Sequence, residues 1–157
     1  MVTTFEALLA RDGVLVYKTR GRSMEPMLRQ ERDIVTIRTP ASRLNKYDVA
    51  LYRNGERYVL HRVVGVRDDH YLIRGDNTYV LETVPDSAVI GVLTGFQRKG
   101  RQIQREDRGY RLYVRLWHFI YPLRLLLFRT RRMAGRIARK TGLLFLFRRK
   151  PGKGGLA

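Results

Sequence analysis

Over the first two thirds of the chain, hydrophobic and polar residues alternate in short runs that are separated by turn-forming residues. Period-two alternation in short runs is typical of antiparallel strands, whose successive side chains point to opposite faces. The runs that fit this pattern are 14–19, 34–38, 49–53, 58–66, 71–74, 89–98 and 101–105. The pattern predicts a mainly β core, preceded by a short helix at 4–11 that Thr4 caps and Asp12-Gly13 ends.

The pattern changes after about residue 108, where Leu, Arg and aromatic residues recur at helical spacing, as at Arg111, Arg115 and His118. This predicts two amphipathic basic helices, interrupted near Pro122 and near Gly142. We therefore expect three parts in the chain. They are a β domain at 1–108, a basic helical extension at 109–150 and a Gly-rich, disordered tail at 151–157.

The net charge of +18 is concentrated in the last third of the chain. Residues 1–95 carry 14 Lys and Arg against 12 Asp and Glu, whereas residues 96–157 carry 18 against 2. Such a basic segment is typical of proteins that meet an anionic partner. Within 109–150 the arginines are interleaved with aromatic and Leu residues, a composition that suits the headgroup region of an anionic membrane. Docking of the same apolar face on the β core or on a partner protein fits the pattern equally well.

The sequence contains no signal for a metal site, a cofactor, a membrane span or a secretory signal peptide. The chain has no cysteine, and its three histidines, His61, His70 and His118, are scattered, so we expect no metal and no cofactor. No apolar run reaches the ~20 residues that span a bilayer, and the start of the chain lacks the features of a secretory signal. We therefore expect a cytoplasmic protein, either free or peripheral on the membrane.

A candidate nucleophile lies in the segment Gly-Arg-Ser-Met-Glu-Pro at 21–26. Pro26 restricts the backbone of Glu25, and Gly21 tolerates conformations that other residues resist. A Ser23 hydroxyl held on such a turn, beside exposed backbone N–H groups, has the setting of an activated nucleophile. Taken alone, the segment fits a polar turn better than a nucleophile, because short motifs are weak signals by themselves. We expect Met24 to pack inward and anchor the segment.

A candidate base and a candidate acid follow in the next predicted hairpin. His61 lies on the run 58–66, and a turn centred on Asp68-Asp69 would place it directly opposite Asp76 on the neighbouring strand. A carboxylate at that distance orients an imidazole and stabilises its protonated form. A slip of one residue in the register would give His61 a different partner, either Gly75 or Asn77. Two further carboxylates, Asp48 and Glu82, fit surface positions better.

Five motifs occur in the chain in a defined order, and together they resemble one known family. They are Ser23-Met24-Glu25-Pro26, Asp33-Ile34-Val35, Tyr47-Asp48-Val49, His61-Arg62-Val63 and Gly75-Asp76-Asn77. This order resembles that of the S24/S26 serine peptidases, most closely the histidine-containing branch of the type I signal peptidases, over roughly residues 14–98.

The resemblance implies a coiled, β-barrel-like peptidase core with Ser23 as nucleophile, His61 as general base and Asp76 as the acid of the family's Gly-Asp-Asn motif. Two departures are evident. We expect no N-terminal membrane anchor, and Gly21 occupies the position where many bacterial relatives carry a hydroxyl that assists the oxyanion hole. The implied substrate is a peptide or leader sequence.

Three functions remain as hypotheses. The first is a serine endopeptidase that uses Ser23, His61 and Asp76. The second is a catalytically inactive module of the same fold that binds peptides or acts as an adaptor at a membrane surface through 109–150. The third, binding of nucleic acid, is the weakest, because positive charge alone discriminates poorly between anionic partners.

Overall fold

The computed structural model describes residues 4–140 of the 157-residue chain. It contains eight strands and three α-helices, with a single 3₁₀ turn at Asp86–Ala88. The strands are β1 (Val14–Lys18), β2 (Ile34–Arg38), β3 (Val49–Asn54), β4 (Arg57–Val66), β5 (His70–Arg74), β6 (Glu82–Pro85), β7 (Val89–Arg98) and β8 (Arg101–Gln104). The helices are α1 (Phe5–Asp12), α2 (Arg108–Phe119) and α3 (Tyr121–Lys140).

The local signals in the sequence place most of these elements correctly. Every predicted strand is present with its ends within one residue of the prediction, and α1 is capped as expected. The Thr4 hydroxyl accepts a hydrogen bond from the backbone N–H of Ala7 at 3.2 Å, and Gly13 ends the helix with a φ of 67°. The strand that the pattern missed is β6, which is short and ends in a proline.

The described strands form one antiparallel sheet in the order β1-β2-β7-β3-β4-β5-β6, with β8 paired to β7. The two ends of this path, β1 and β6, do not pair with each other in the described residues, so the sheet is open. The expectation of a mainly β protein with a C-terminal helical part is therefore confirmed at that level of detail. An open sheet leaves β1 with one edge unpaired, a feature that matters for the site.

Two clusters of buried apolar side chains stabilise the sheet. The first joins α1 and the serine turn to the strands, and includes Leu9, Met24, Met27, Leu28 and Val35. Met24 packs inward as predicted, being 5% exposed. The second cluster covers the part of the sheet that carries His61, and includes Tyr52, Val63, Tyr71 and Ile73. Burial of this apolar surface is the main favourable contribution to folding.

The described residues divide into two compact units, one ending at Trp117 and the other beginning at His118. Most of α2 belongs to the first unit, with Val114 buried and Tyr110 and Tyr113 packed against the first core cluster. The second unit contains α3, which begins at Tyr121, close to the predicted interruption at Pro122. The predicted interruption at Gly142 and the predicted disordered tail at 151–157 lie outside the described residues.

Within residues 4–140, no helix combines the length and the apolar character needed to cross a membrane.

Candidate functional site

Ser23 lies on a turn between β1 and β2 that its apolar neighbours hold in place. Backbone hydrogen bonds from Glu25 N–H to the Arg22 carbonyl (3.2 Å) and from Leu28 N–H to the Met24 carbonyl (2.9 Å) close the turn. Gly21 enters it with a φ of +84°, a conformation that favours glycine. Because Met24 and Leu28 are buried, Ser23 is positioned at the surface of a fixed segment, where it is partly exposed.

His61 lies in the middle of β4, paired with Ala50 of β3, and is 8% exposed. Its Nδ1 atom is 3.0 Å from Oε1 of Glu82 and 3.3 Å from the hydroxyl of Tyr52. The Tyr52 hydroxyl also donates a hydrogen bond to Oε2 of Glu82, at 2.8 Å. Because an ionised carboxylate only accepts hydrogen bonds, Nδ1 carries the proton and Nε2 keeps its lone pair. This is the tautomer that a general base requires.

Burial lowers the pKa of His61 below its usual value, while the charge of Glu82 and its hydrogen bond act in the opposite direction. The imidazole is therefore neutral at pH 7 and able to accept a proton. Burial and the neighbouring Glu82 raise the pKa of Tyr52, so its hydroxyl stays protonated as a donor.

The carboxylate that contacts His61 is Glu82, and the predicted direct pairing of His61 with Asp76 was wrong. Close to the turn the predicted register holds, since Gly65 pairs with Leu72. A β-bulge then inserts one extra residue into β4, so that Val63 pairs with Ile73. The shifted register, continued along the strands, brings Gly75 rather than Asp76 opposite His61. The local sequence contains no signal for such a bulge apart from Gly65 itself.

Asp76 instead forms an ion pair with Arg62, the neighbour of His61 on the opposite face of β4. Arg62 Nε and Nη2 donate to the two carboxylate oxygens of Asp76 at 2.7 and 2.8 Å. Arg62 is completely buried and also donates to the carbonyl of Tyr47 (2.9 Å) and the hydroxyl of Tyr110 (3.0 Å). The Asp76 carboxylate raises the pKa of Arg62 against the effect of burial. This bidentate pair fastens the segment after β5 to the core.

The loop at 75–77 brings the serine turn next to His61. The backbone N–H of Asn77 donates to the carbonyl of Ser23 at 2.7 Å, and its side-chain amide donates to the carbonyl of Arg22 at 3.3 Å. A Cβ atom on Gly75 would lie 2.6 Å from the Ser23 carbonyl oxygen, 3.1 Å from Ser23 Cβ and 3.1 Å from His61 Nε2. Ser23 and the lone-pair nitrogen of His61 therefore both lie against the same glycine.

In residues 4–140 no hydrogen bond joins the Ser23 hydroxyl to His61, and the backbone N–H of Ser23 has no acceptor within them. Catalytic hydrogen bonds are commonly longer in a protein without its substrate and shorten in the complex. An unengaged N–H beside a serine hydroxyl is a donor of the kind that could stabilise an oxyanion.

A groove of about 800 Å³, with Ser23 among the residues that line it, lies between two strands of the first unit. One wall is the unpaired edge of β1 with the residues that follow it, 17–21, and the other is the start of β4, residues 57–60. These β4 residues pair with β3 on one side only, since the pairing with β5 begins at Arg62. Phe5 of α1 closes part of the groove by stacking on Tyr58, with ring centroids 4.5 Å apart.

Glu82 was wrongly expected to be a solvated surface charge. The error follows from the missed strand β6, because the strand pairings determine the direction of this side chain. Val63 pairs with Ile73, and Ile73 with Glu82, so all three lie on the face of the sheet that carries His61. The adjacent β-branched Thr83 and Val84 were the local signal that could have indicated this strand.

Asp48 is the other of the two further carboxylates. It accepts a hydrogen bond from the backbone N–H of Asn45 at 2.9 Å and forms an ion pair with Arg105 at 3.2 Å. It therefore stabilises a loop and does not contact His61. Nowhere in residues 4–140 do three or more potential metal-ligating side chains of His, Cys, Asp or Glu come together.

No protein-family model matches the chain, and no curated protein matches it either.

Proposed function

We propose that the protein is a serine endopeptidase in which Ser23 is the nucleophile, His61 is the general base and Glu82 positions His61. The observation that supports this most strongly is the environment of the imidazole. Nδ1 is bonded to Glu82, while Nε2 faces the glycine against which Ser23 also lies. The five ordered motifs support the same proposal from the sequence, because they resemble those of the S24/S26 peptidases. That resemblance also implies the coiled, β-barrel-like core of these peptidases.

In this mechanism His61 Nε2 removes the proton from Ser23 as the hydroxyl attacks a peptide carbonyl, and later donates it to the leaving amine. Glu82 stabilises the imidazolium that forms in between. The backbone N–H of Ser23 supplies a donor to the oxyanion, a contribution that matters more here because Gly21 has no hydroxyl to offer. Water then hydrolyses the acyl-enzyme with His61 acting again as base. Asp76 acts indirectly, by fixing the loop that carries Gly75 and Asn77.

The groove supports an extended peptide as the substrate. Both of its walls are strand edges with backbone groups that the sheet leaves unpaired, and a peptide lying between them would complete the hydrogen bonding of both. The carbonyl to be cleaved would then pass next to Ser23, which lines the groove.

The absence of a hydrogen bond between Ser23 and His61 favours a second candidate, an inactive module that binds peptides in the same groove. The two candidates differ in the reactivity of Ser23. A fluorophosphonate probe should label the wild-type protein, but neither Ser23→Ala nor His61→Ala. The control is Ser42→Ala, because Ser42 is an exposed serine remote in sequence from the motifs, and this variant should be labelled like wild type. Equal labelling of wild type and Ser23→Ala, or no labelling of the folded wild type, would exclude the peptidase.

A further inference from the structure

A second cleft, distinct from the groove, lies in the first unit between the loop before β3 and the start of α2. Its volume is about 380 Å³, and it is lined by residues 45–48 on one side and by residues of 105–115 on the other. The ring of Tyr110 and the side chain of Val114 form part of its wall. None of the residues proposed to act in catalysis lines it.

The charges around this cleft do not balance. Four cations line it, and one of them, Arg105, is paired with both acids that line it, with Asp48 at 3.2 Å and with Glu106 at 3.2 Å. The other three cations are Lys46, Arg111 and Arg115. Within the described part of the chain no carboxylate forms an ion pair with any of these three. Three cations around one small concavity favour an anion with several oxygen atoms, such as a phosphate group.

The face of α2 next to these arginines is apolar and exposed. Leu112 and Leu116 each follow one of the arginines and are 58% and 54% exposed, one helical turn apart. The opposite face of α2 is occupied, since Val114 is buried and Trp117 donates to the carbonyl of Asp76 at 3.0 Å. The exposed face of the helix therefore presents arginines on one side and leucines on the other.

We propose that this face of α2 is a docking surface for membranes that contain anionic phospholipids. Lys46, Arg111 and Arg115 bind a headgroup phosphate in the cleft, and Leu112 and Leu116 enter the boundary between headgroups and acyl chains. A free phosphate or a nucleic acid would use the cations but gain nothing from the leucines, whereas a lipid surface uses both. The proposal does not depend on Ser23 being reactive.

The test is flotation of the full chain with vesicles of pure phosphatidylcholine, and with vesicles in which about one lipid in four is phosphatidylglycerol, at about 0.15 M salt. Wild type should float with the anionic vesicles and much less with the neutral ones. Arg111→Gln with Arg115→Gln should weaken binding by roughly thirtyfold, because each basic residue near an anionic surface contributes a factor of about five. Leu112→Ser with Leu116→Ser should also weaken binding, although it leaves the charge unchanged.

The matched control is Arg38→Gln with Arg101→Gln, which removes the same charge from exposed positions of the first unit outside the cleft. It should bind anionic vesicles within about threefold of wild type, since screening limits the reach of a surface charge to ~8 Å. An equal loss in the control would mean that net charge alone drives binding, and would overturn the proposal. So would binding at the wild-type level by the Arg111→Gln, Arg115→Gln variant, or by the Leu112→Ser, Leu116→Ser variant. All variants change exposed side chains, and unaltered thermal unfolding would show that they fold.

Discussion

At the level of single residues, the site contains two carboxylates because two adjacent side chains of β4, His61 and Arg62, each contact a different acid. His61 and Arg62 are adjacent and therefore point to opposite faces of the sheet. Glu82 bonds to His61, while Asp76 bonds to Arg62 and lies 5% exposed. Each acid thus has its own partner: Glu82 contacts the imidazole, and Asp76 compensates the charge of the buried guanidinium.

Replacing Glu82 by Gln should change the titration of His61. Burial lowers the pKa of His61 and Glu82 opposes that effect, so its removal should lower the pKa further. The acidic limb of the profile of kcat/KM against pH should move to lower pH, and kcat should fall by roughly a hundredfold or more because the imidazolium is less stabilised. An NMR titration of His61 measures the same shift without substrate. Glu56→Gln, at an exposed position, is the control, and a pKa of His61 that rises in Glu82→Gln would contradict the assignment.

Replacing Asp76 by Ala should instead act on stability. Loss of one partner from a buried ion pair leaves Arg62 uncompensated, so urea unfolding should show a loss of about 3–5 kcal/mol. The pKa of His61 should change little, because Asp76 is the smallest of the influences on it. Asp68→Ala, in the exposed turn between β4 and β5, is the control. If Asp76→Ala kept full stability but shifted the pH profile as Glu82→Gln does, Asp76 would be the acid that orients His61.

At the scale of elements, the site depends on the contact between the loop after β5 and the serine turn. Asn77 bonds to the carbonyls of Arg22 and Ser23, and Gly75 leaves the space into which Ser23 and His61 fit. The bulge in β4 is part of this arrangement, because it shifts the register of β4 and β5 by one residue and so brings Gly75 opposite His61. The Gly-Asp-Asn motif therefore holds the serine turn next to His61, and each of its three residues makes a different contact.

Replacing Gly75 by Ala should separate Ser23 from His61. The new Cβ would lie 2.6 Å from the Ser23 carbonyl oxygen, a backbone atom, so the serine turn must shift. We expect labelling by the fluorophosphonate probe to fall at least about tenfold, because small displacements of reacting groups cost much in rate. Gly109→Ala is the control, since a Cβ there meets no atom within 4 Å. Labelling of Gly75→Ala at the wild-type rate would show that the loop does not position the nucleophile.

At the scale of the whole molecule, the first compact unit extends past the β strands into α2. Three residues of that helix tie it to the site: Tyr110 accepts a hydrogen bond from Arg62, Val114 is buried, and Trp117 bonds to Asp76. Helix α2 thus supports the Arg62–Asp76 pair from both of its ends, through Tyr110 and Trp117.

Two truncations test where the folded unit ends. A chain ending at residue 120 should unfold cooperatively and keep probe labelling of Ser23, because it retains all of α2. A chain ending at residue 107 lacks Tyr110, Val114 and Trp117, and should lose several kcal/mol of stability through the exposed core and the weakened support of Arg62. Thermal unfolding of the two proteins measures the difference. Equal stability of both would mean that the β strands form the unit by themselves.

Local signals in the sequence were sufficient to place most of the secondary-structure elements. Alternation, turn residues and caps specified α1 and every strand except β6, and Ser23, His61 and Asp76 were predicted to form one site. The pairing of each carboxylate with its partner, Glu82 with His61 and Asp76 with Arg62, depends instead on how the strands pair. A single extra residue in β4 and one short unpredicted strand change the partners across the sheet, and neither has a strong local signal. Strand register is a property of paired strands, so it determines where Glu82 and Asp76 lie in a way that no single segment does.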